Sequence, residues 1–234
     1  MWIFWRLVLA HLLTDFTFQT NLVARWKREN VWGGIFHSFL FTLTSFVLNW
    51  PYLTNIWINF HQSTIILQGW VCIILISISH FLEDEWRIWT ITKLNSPDSF
   101  YFFIWDQFIH LVLIFTFSPI LMGPIIEWWV FLGILLILLT HFSTIFIYFL
   151  EKDVFGKAEV PSGKEKYLPM IERITITIGI FLGGYFLFLI PIVATVRLLI
   201  QYHWHNNGVS WLHIGMNYFL GVVLGFFSRL YYLV

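Results

Sequence analysis

Three histidine–aspartate pairs recur at a four-residue spacing inside very apolar sequence: His11/Asp15, His80/Asp84 and, in reversed order, Asp106/His110. Residues four apart share one face of a helix, so each pair predicts an imidazole and a carboxylate presented together. Both groups are ligands for a divalent cation. Mixed nitrogen and oxygen donors suit zinc, manganese or iron, whereas magnesium prefers oxygen. A bound cation would offset the cost of burying several carboxylates, acidify a water and polarise a phosphoryl or carbonyl oxygen. The ligand pool read from the sequence is therefore His11, Asp15, His80, Asp84, Asp106 and His110, with a divalent zinc, manganese or magnesium ion as the expected cofactor.

The surrounding chain explains why such groups stand out. It is 59% hydrophobic and only 11% charged, with a mean hydropathy of +0.76. A soluble domain carries about 25% charged residues, which places this chain among membrane proteins. Ionisable side chains are costly in lipid and are kept there for function or for pairing. Lys+Arg and Asp+Glu both number 13, so no basic surplus exists for nucleic acid. Cys72, the single cysteine, forms no internal disulfide and reads as a small buried hydrophobe. The apolar start lacks a basic leader and a small-residue cleavage site, and it carries His11 and Asp15. It is expected to be a retained helix rather than a signal peptide.

Hydropathy predicts an all-α polytopic transmembrane bundle of about seven helices, near 2–20, 32–50, 63–82, 100–118, 127–150, 173–200 and 210–232. The stretch 173–200 is long enough to tilt or to bend near Pro191. Residues 1–234 read as one domain, with 151–172 as a cytoplasmic loop. Loops 21–31, 83–99 and 151–172 hold Arg25, Lys27, Arg28, Arg87, Lys93, Lys152, Lys157, Lys164 and Lys166, while 51–62, 119–126 and 201–209 hold no Lys or Arg. The positive-inside rule then predicts an outside N-terminus and a cytoplasmic C-terminus near Arg229 in a cytoplasmic (inner) membrane. Trp57, Trp128, Trp129, Trp204 and Trp211 would form much of the outer aromatic belt.

Topology aligns the pairs in depth. The sequence order flips with helix direction, so each Asp falls nearer the cytoplasm and each His one turn deeper. Gln19, His37, Gln107, His141, Glu172 and Arg173 join this layer. His37 or His141 is a candidate base, Gln19 a polar partner one turn past Asp15, and Arg173 a group to steady an anionic substrate. At this depth the expected partner is membrane lipid, with a lipid-like or anionic molecule as substrate. The same residues fit a proton or solute path, or a purely structural polar network in an accessory subunit. His141 stands alone, His61, His203 and His205 fall in expected outer loops, and His213 is excluded as outer. Within Glu83-Asp84-Glu85, part of the cluster reads as a solvated helix end, which makes Asp84 the weakest of the paired carboxylates.

Gly179/Gly183 and Gly221/Gly225 have the spacing that packs helices closely, here the sixth on the seventh. Loop 151–172, with Pro161-Ser162-Gly163, lacks the upstream glycine of a phosphate loop, and no dinucleotide fingerprint or serine elbow occurs.

The stretch Leu9-Ala10-His11-Leu12-Leu13-Thr14-Asp15-Phe16 with Gln19, then His37, Ser79-His80-Phe81 with Asp84, and Asp106-Gln107 with His110 resembles an uncharacterised family of bacterial integral membrane proteins, a domain of unknown function. Glu172-Arg173 and Asn217-Tyr218-Phe219-Leu220-Gly221 extend the likeness. The family pattern implies a Glu where Asn217 stands and a Lys near Thr195. The His/Asp layout is also similar to that of membrane-bound metal-dependent hydrolases, which implies hydrolysis by analogy.

Overall fold

The computed structural model describes residues 2–59, 66–119, 126–158, 166–203 and 210–233. His61, Lys164, Pro161-Ser162-Gly163, Trp204 and His205 lie outside them. The chain forms two compact units, Met1–Ile137 and Leu138–Val234. As expected, the architecture is all-α; a two-stranded antiparallel ribbon, β1 (Ile56–Asn59) and β2 (Ile66–Gln68), is a minor addition.

The first unit holds α1 (Trp2–Leu12), α2 (Asn21–Glu29), α3 (Val31–Leu48), α4 (Gly69–Lys93), α5 (Phe100–Phe117) and α6 (Trp128–Ile137). A wide π-turn, Leu13–Phe18, extends α1 and carries Asp15. Such turns insert a residue into a helix and often mark functional sites. Side-chain caps set the later boundaries: Thr20 accepts from the Val23 N–H, Asn30 from Trp32 and Ser99 from Phe102. Gly33 has no room for a Cβ against the backbone of Trp26 and Lys27, which folds α2 tightly onto α3. That corner delivers Lys27 to the polar centre.

Arg6 fastens the same unit away from the histidines. Its Nε and Nη2 grip Glu127 at 2.5 and 2.7 Å, and its Nη1 donates to the Leu48 carbonyl at 2.6 Å. The guanidinium also lies 5.1 Å from the ring centroids of both Tyr52 and Trp129. Glu127 sits just ahead of the span Trp128–Phe155, and its hydrogen bonds to Arg6 hold its carboxyl below the usual range. A depressed carboxyl stabilises the fold above its unfolded value of about 4.3 and loses that contribution as pH falls through the folded value. Unfolding in detergent from pH 6 down to 3 should therefore reveal an acid-dependent loss of stability that Glu127→Gln lacks.

The second unit contains a π-turn at Leu138–Phe142, α7 (Ser143–Phe155), α8 (Tyr167–Leu182), a 3-10 segment at Gly184–Phe188, α9 (Leu189–His203) and α10 (Trp211–Leu233). Gly221 and Gly225 pack against Ile176 and Ile180, so the small residues do join α8 to α10. Thr177 donates to the Gly221 carbonyl at 2.9 Å and Arg229 to the Ile180 carbonyl at 3.3 Å, which makes the two helices parallel.

Four helices among the described residues are long and apolar enough to cross a membrane: Val31–Leu48, Phe100–Phe117, Trp128–Phe155 and Trp211–Leu233. Among the described residues, the seven expected spans find support by length and composition at these four. Helix α1 is short before its π-turn, and α4 carries Glu83, Asp84, Glu85, Arg87 and Lys93. The stretch 173–200 is not one helix. It reverses at Gly183 and Gly184, whose φ values of 67° and 53° suit glycine, and α9 packs back on α8. Pro191 instead falls in the first turn of α9, where a missing N–H costs no helical bond.

This reversal also overturns the expected placement of the C-terminal helix. His213, read as an outer residue, lies 3.1 Å from Glu151, and Ser210 hydrogen-bonds the same carboxylate. Helix α10 therefore starts at the end of the unit where α7 finishes. Arg229 lies at the other end of α10 from Glu151. Trp211 moves with His213, and Trp57 is buried with its indole N–H on the Tyr52 carbonyl rather than in an exposed belt.

Candidate functional site

Three segments of the first unit bring their polar residues to one buried centre. The π-turn after α1 supplies Asp15, α3 supplies His37, and α4 supplies His80 and Asp84. Asp15 Oδ1 lies 3.3 Å from His37 Nε2 and 3.6 Å from His80 Nε2. Asp84 Oδ2 is 3.6 Å from each of the same two nitrogens, which are 3.2 Å apart. Ligands about 2.0–2.2 Å from a tetrahedral cation stand about 3.3–3.6 Å from one another. Asp15 Oδ1, His37 Nε2 and His80 Nε2 have that spacing pairwise, with Asp84 Oδ2 as near to the two imidazoles but outside the Asp15 group, and Asp15 Oδ1 makes no hydrogen bond despite its imidazole neighbours. A buried acceptor in that state costs about 1–3 kcal/mol, which a cation would recover.

Neighbouring groups hold these side chains. His11 faces Asp15 Oδ1 through Nδ1 at 3.4 Å and Gln107 through Nε2 at 3.1 Å. Lys27 Nζ is 2.6 Å from Asp84 Oδ2, so a cation bound there competes with Lys27 for that oxygen. Phe41 packs on the His80 ring with centroids 5.0 Å apart. The pair on α5 is adjacent: Asp106 Oδ2 accepts from Arg87 at 2.8 Å and from Gln107 at 2.9 Å, and the His110 and His80 ring centroids are 4.2 Å apart.

The structure thus brings together His11, Asp15, His37, His80, Asp84, Asp106 and His110. His37, read as a base, stands among the potential ligands, and His11, read as a ligand, both faces Asp15 and has a ring nitrogen within 4.8 Å of ligand atoms of His80 and His110. Asp84 is not at a solvated helix end, because α4 continues to Lys93 and leaves it 3% exposed. Gln19 ends the π-turn through its backbone N–H on the Thr14 carbonyl.

Arg173 belongs to the second unit. The π-turn at Leu138–Phe142 frees carbonyls from the helical ladder, and Arg173 donates to Leu139 at 2.6 Å and Thr140 at 3.0 Å. It also donates to Thr144 at 3.0 Å and to Asn217 at 2.6 Å, while Asn217 donates to Glu172. Four hydrogen bonds occupy most of its five donors, so its work is inside this unit. His141 is half-buried on the same π-turn beside Thr140.

Sequence reading missed Glu83 and Lys27. Glu83 is buried, with His110 Nε2 3.2 Å from its carboxylate. Its position three residues past His80 puts it on the same helical face, a signal present in the sequence. Lys27 gave no such signal, because the tight corner at Gly33 positions it.

Comparison with curated proteins and with solved structures finds no match for the chain. A family model described as "Protein of unknown function (DUF3307)" matches residues 3–132, a segment that contains the whole polar centre. Glu172-Arg173 and Asn217 to Gly221 lie beyond that segment. The match spans more than half of the chain, so the protein belongs to this uncharacterised family.

Proposed function

We propose that the first unit is a metal-dependent hydrolase of a phospholipid or other amphiphile, acting near the cytoplasmic leaflet of a cytoplasmic membrane. The observation that carries this reading is the buried meeting of Asp15, His37 and His80 at 3.2–3.6 Å from one another, with Asp84 Oδ2 3.6 Å from both imidazoles. Zinc or manganese suits two imidazoles and two carboxylates better than magnesium. Such an ion acidifies a water and polarises the ester or phosphoryl oxygen it contacts. Hydrolysis would add the water oxygen to the acyl or phosphoryl centre and return a proton to the departing alcohol.

The chain's own residues supply the rest. Arg25, Lys27 and Arg28 on α2, with Arg87 and Lys93 on α4, favour the cytoplasmic side for the aspartate-bearing end. Their charge suits an anionic head group. An apolar groove lined by Trp26, Trp32, Ile35, Phe36 and Phe39 begins one residue from Lys27 and suits an acyl chain.

Detergent-purified protein should carry a stoichiometric cation by elemental analysis and release product from phospholipid in mixed micelles. EDTA should abolish turnover, and zinc or manganese should restore it. Protein that carries no cation after dialysis against either ion would overturn the reading.

A further inference from the structure

Beside the Asp15/His37/His80/Asp84 centre lies a second donor set that the first cation would leave unserved. Glu83, Asp84, Asp106 and His110 each offer one ligand atom, and these atoms all lie within 4.8 Å of one another. All four residues are buried: His110 is 1% exposed and Asp106 2%. His110 is the decisive member. Neither of its ring nitrogens makes a hydrogen bond, although Nε2 points at Glu83 Oε2 from 3.2 Å.

The carboxylates repeat the pattern. Both Glu83 oxygens and Asp106 Oδ1 are buried without a hydrogen bond, while Arg87 and Gln107 hold the other Asp106 oxygen. Asp106 is therefore fixed by one oxygen and open at the other. Two adjacent acids and an imidazole, all buried, bring their ligand atoms to one place. A cation would accept a lone pair from each of the three at once and offset the burial of two adjacent carboxylates.

We infer that Glu83, Asp106 and His110 hold a second divalent cation, with Asp84 shared between the two positions. Asp84 already contributes Oδ2 to the first set, and a carboxylate can give one oxygen to each of two ions. The neighbouring His80 and His110 rings, 4.2 Å apart, belong one to each position. Two-metal centres have ions about 3.5–4 Å apart and clamp the attacking and leaving oxygens of a displacement at phosphorus. The inference rests on the first cation site and narrows its substrate class to phosphate esters among amphiphiles.

Manganese loading of the intact chain in detergent tests it. Equilibrium dialysis should give two ions per chain, with spin-coupled signals in electron paramagnetic resonance. Glu83→Gln, which keeps the side-chain volume, and His110→Ala should each give one ion and an uncoupled spectrum. One uncoupled ion in the unaltered protein, unchanged in both variants, would overturn the second position and leave the first intact. No bound manganese or zinc in the unaltered protein would overturn both.

Discussion

His80→Ala should weaken cation binding by more than about 100-fold, while His11→Ala should weaken it by only about 10–100-fold. The two histidines open the same kind of motif, yet their surroundings differ. His80 Nε2 stands 3.6 Å from both Asp15 and Asp84 and 3.2 Å from His37, so its loss removes one corner of the proposed coordination set. It is 2% exposed with Phe41 against its ring. His11 touches Asp15 and Gln107 and so steadies a ligand, a role whose loss typically costs about 10–100-fold. Competition for zinc against a chromophoric chelator reads both numbers. Equal losses in the two variants would refute the division of roles.

Arg173→Ala should destabilise the protein by at least about 3 kcal/mol, because each buried acceptor left without a donor costs about 1–3 kcal/mol. The carbonyls of Leu139 and Thr140, the Thr144 hydroxyl and the Asn217 amide oxygen would all lose their partner. Arg173→Lys should recover little, since one ammonium cannot reproduce a planar fork that reaches four acceptors. Denaturation midpoints in detergent measure the loss. Hydrolysis per folded molecule should stay unchanged in Arg173→Lys. A drop in turnover at an unaltered midpoint would instead give Arg173 a role toward substrate.

The catalytic-type residues were more legible in the sequence than the path of the chain. His11, Asp15, His80, Asp84, Asp106 and His110 announce themselves because helical periodicity and the cost of burying charge both act locally. Their order, reversed on α5, was enough to place them in one layer. His37 lacked a paired carboxylate on its own helix, so only the packing of α3 on α4 reveals its partners. The reversal at Gly183 and Gly184 was hidden for another reason. An apolar stretch reads as continuous whether it crosses or turns back, and the left-handed glycine conformations that decide between them leave hydropathy unchanged. The division of 173–200 into two short helices and the reversed α10 both follow from that one position.

The hairpin of α8 and α9 carries a further consequence for how the chain enters a bilayer. At 1.5 Å per residue, 16 and 15 residues extend about 24 and 22 Å, short of a hydrocarbon core about 30 Å thick. Neither arm is long enough to be held alone as a stop-transfer segment. A bilayer would then have to take the two arms together, and the bend between them exposes Tyr185, Phe186 and Phe188. Charge in the flanking loops therefore cannot orient this part of the chain one segment at a time, and Arg229 ends where its packing on the Ile180 carbonyl puts it rather than where a basic residue is usually retained.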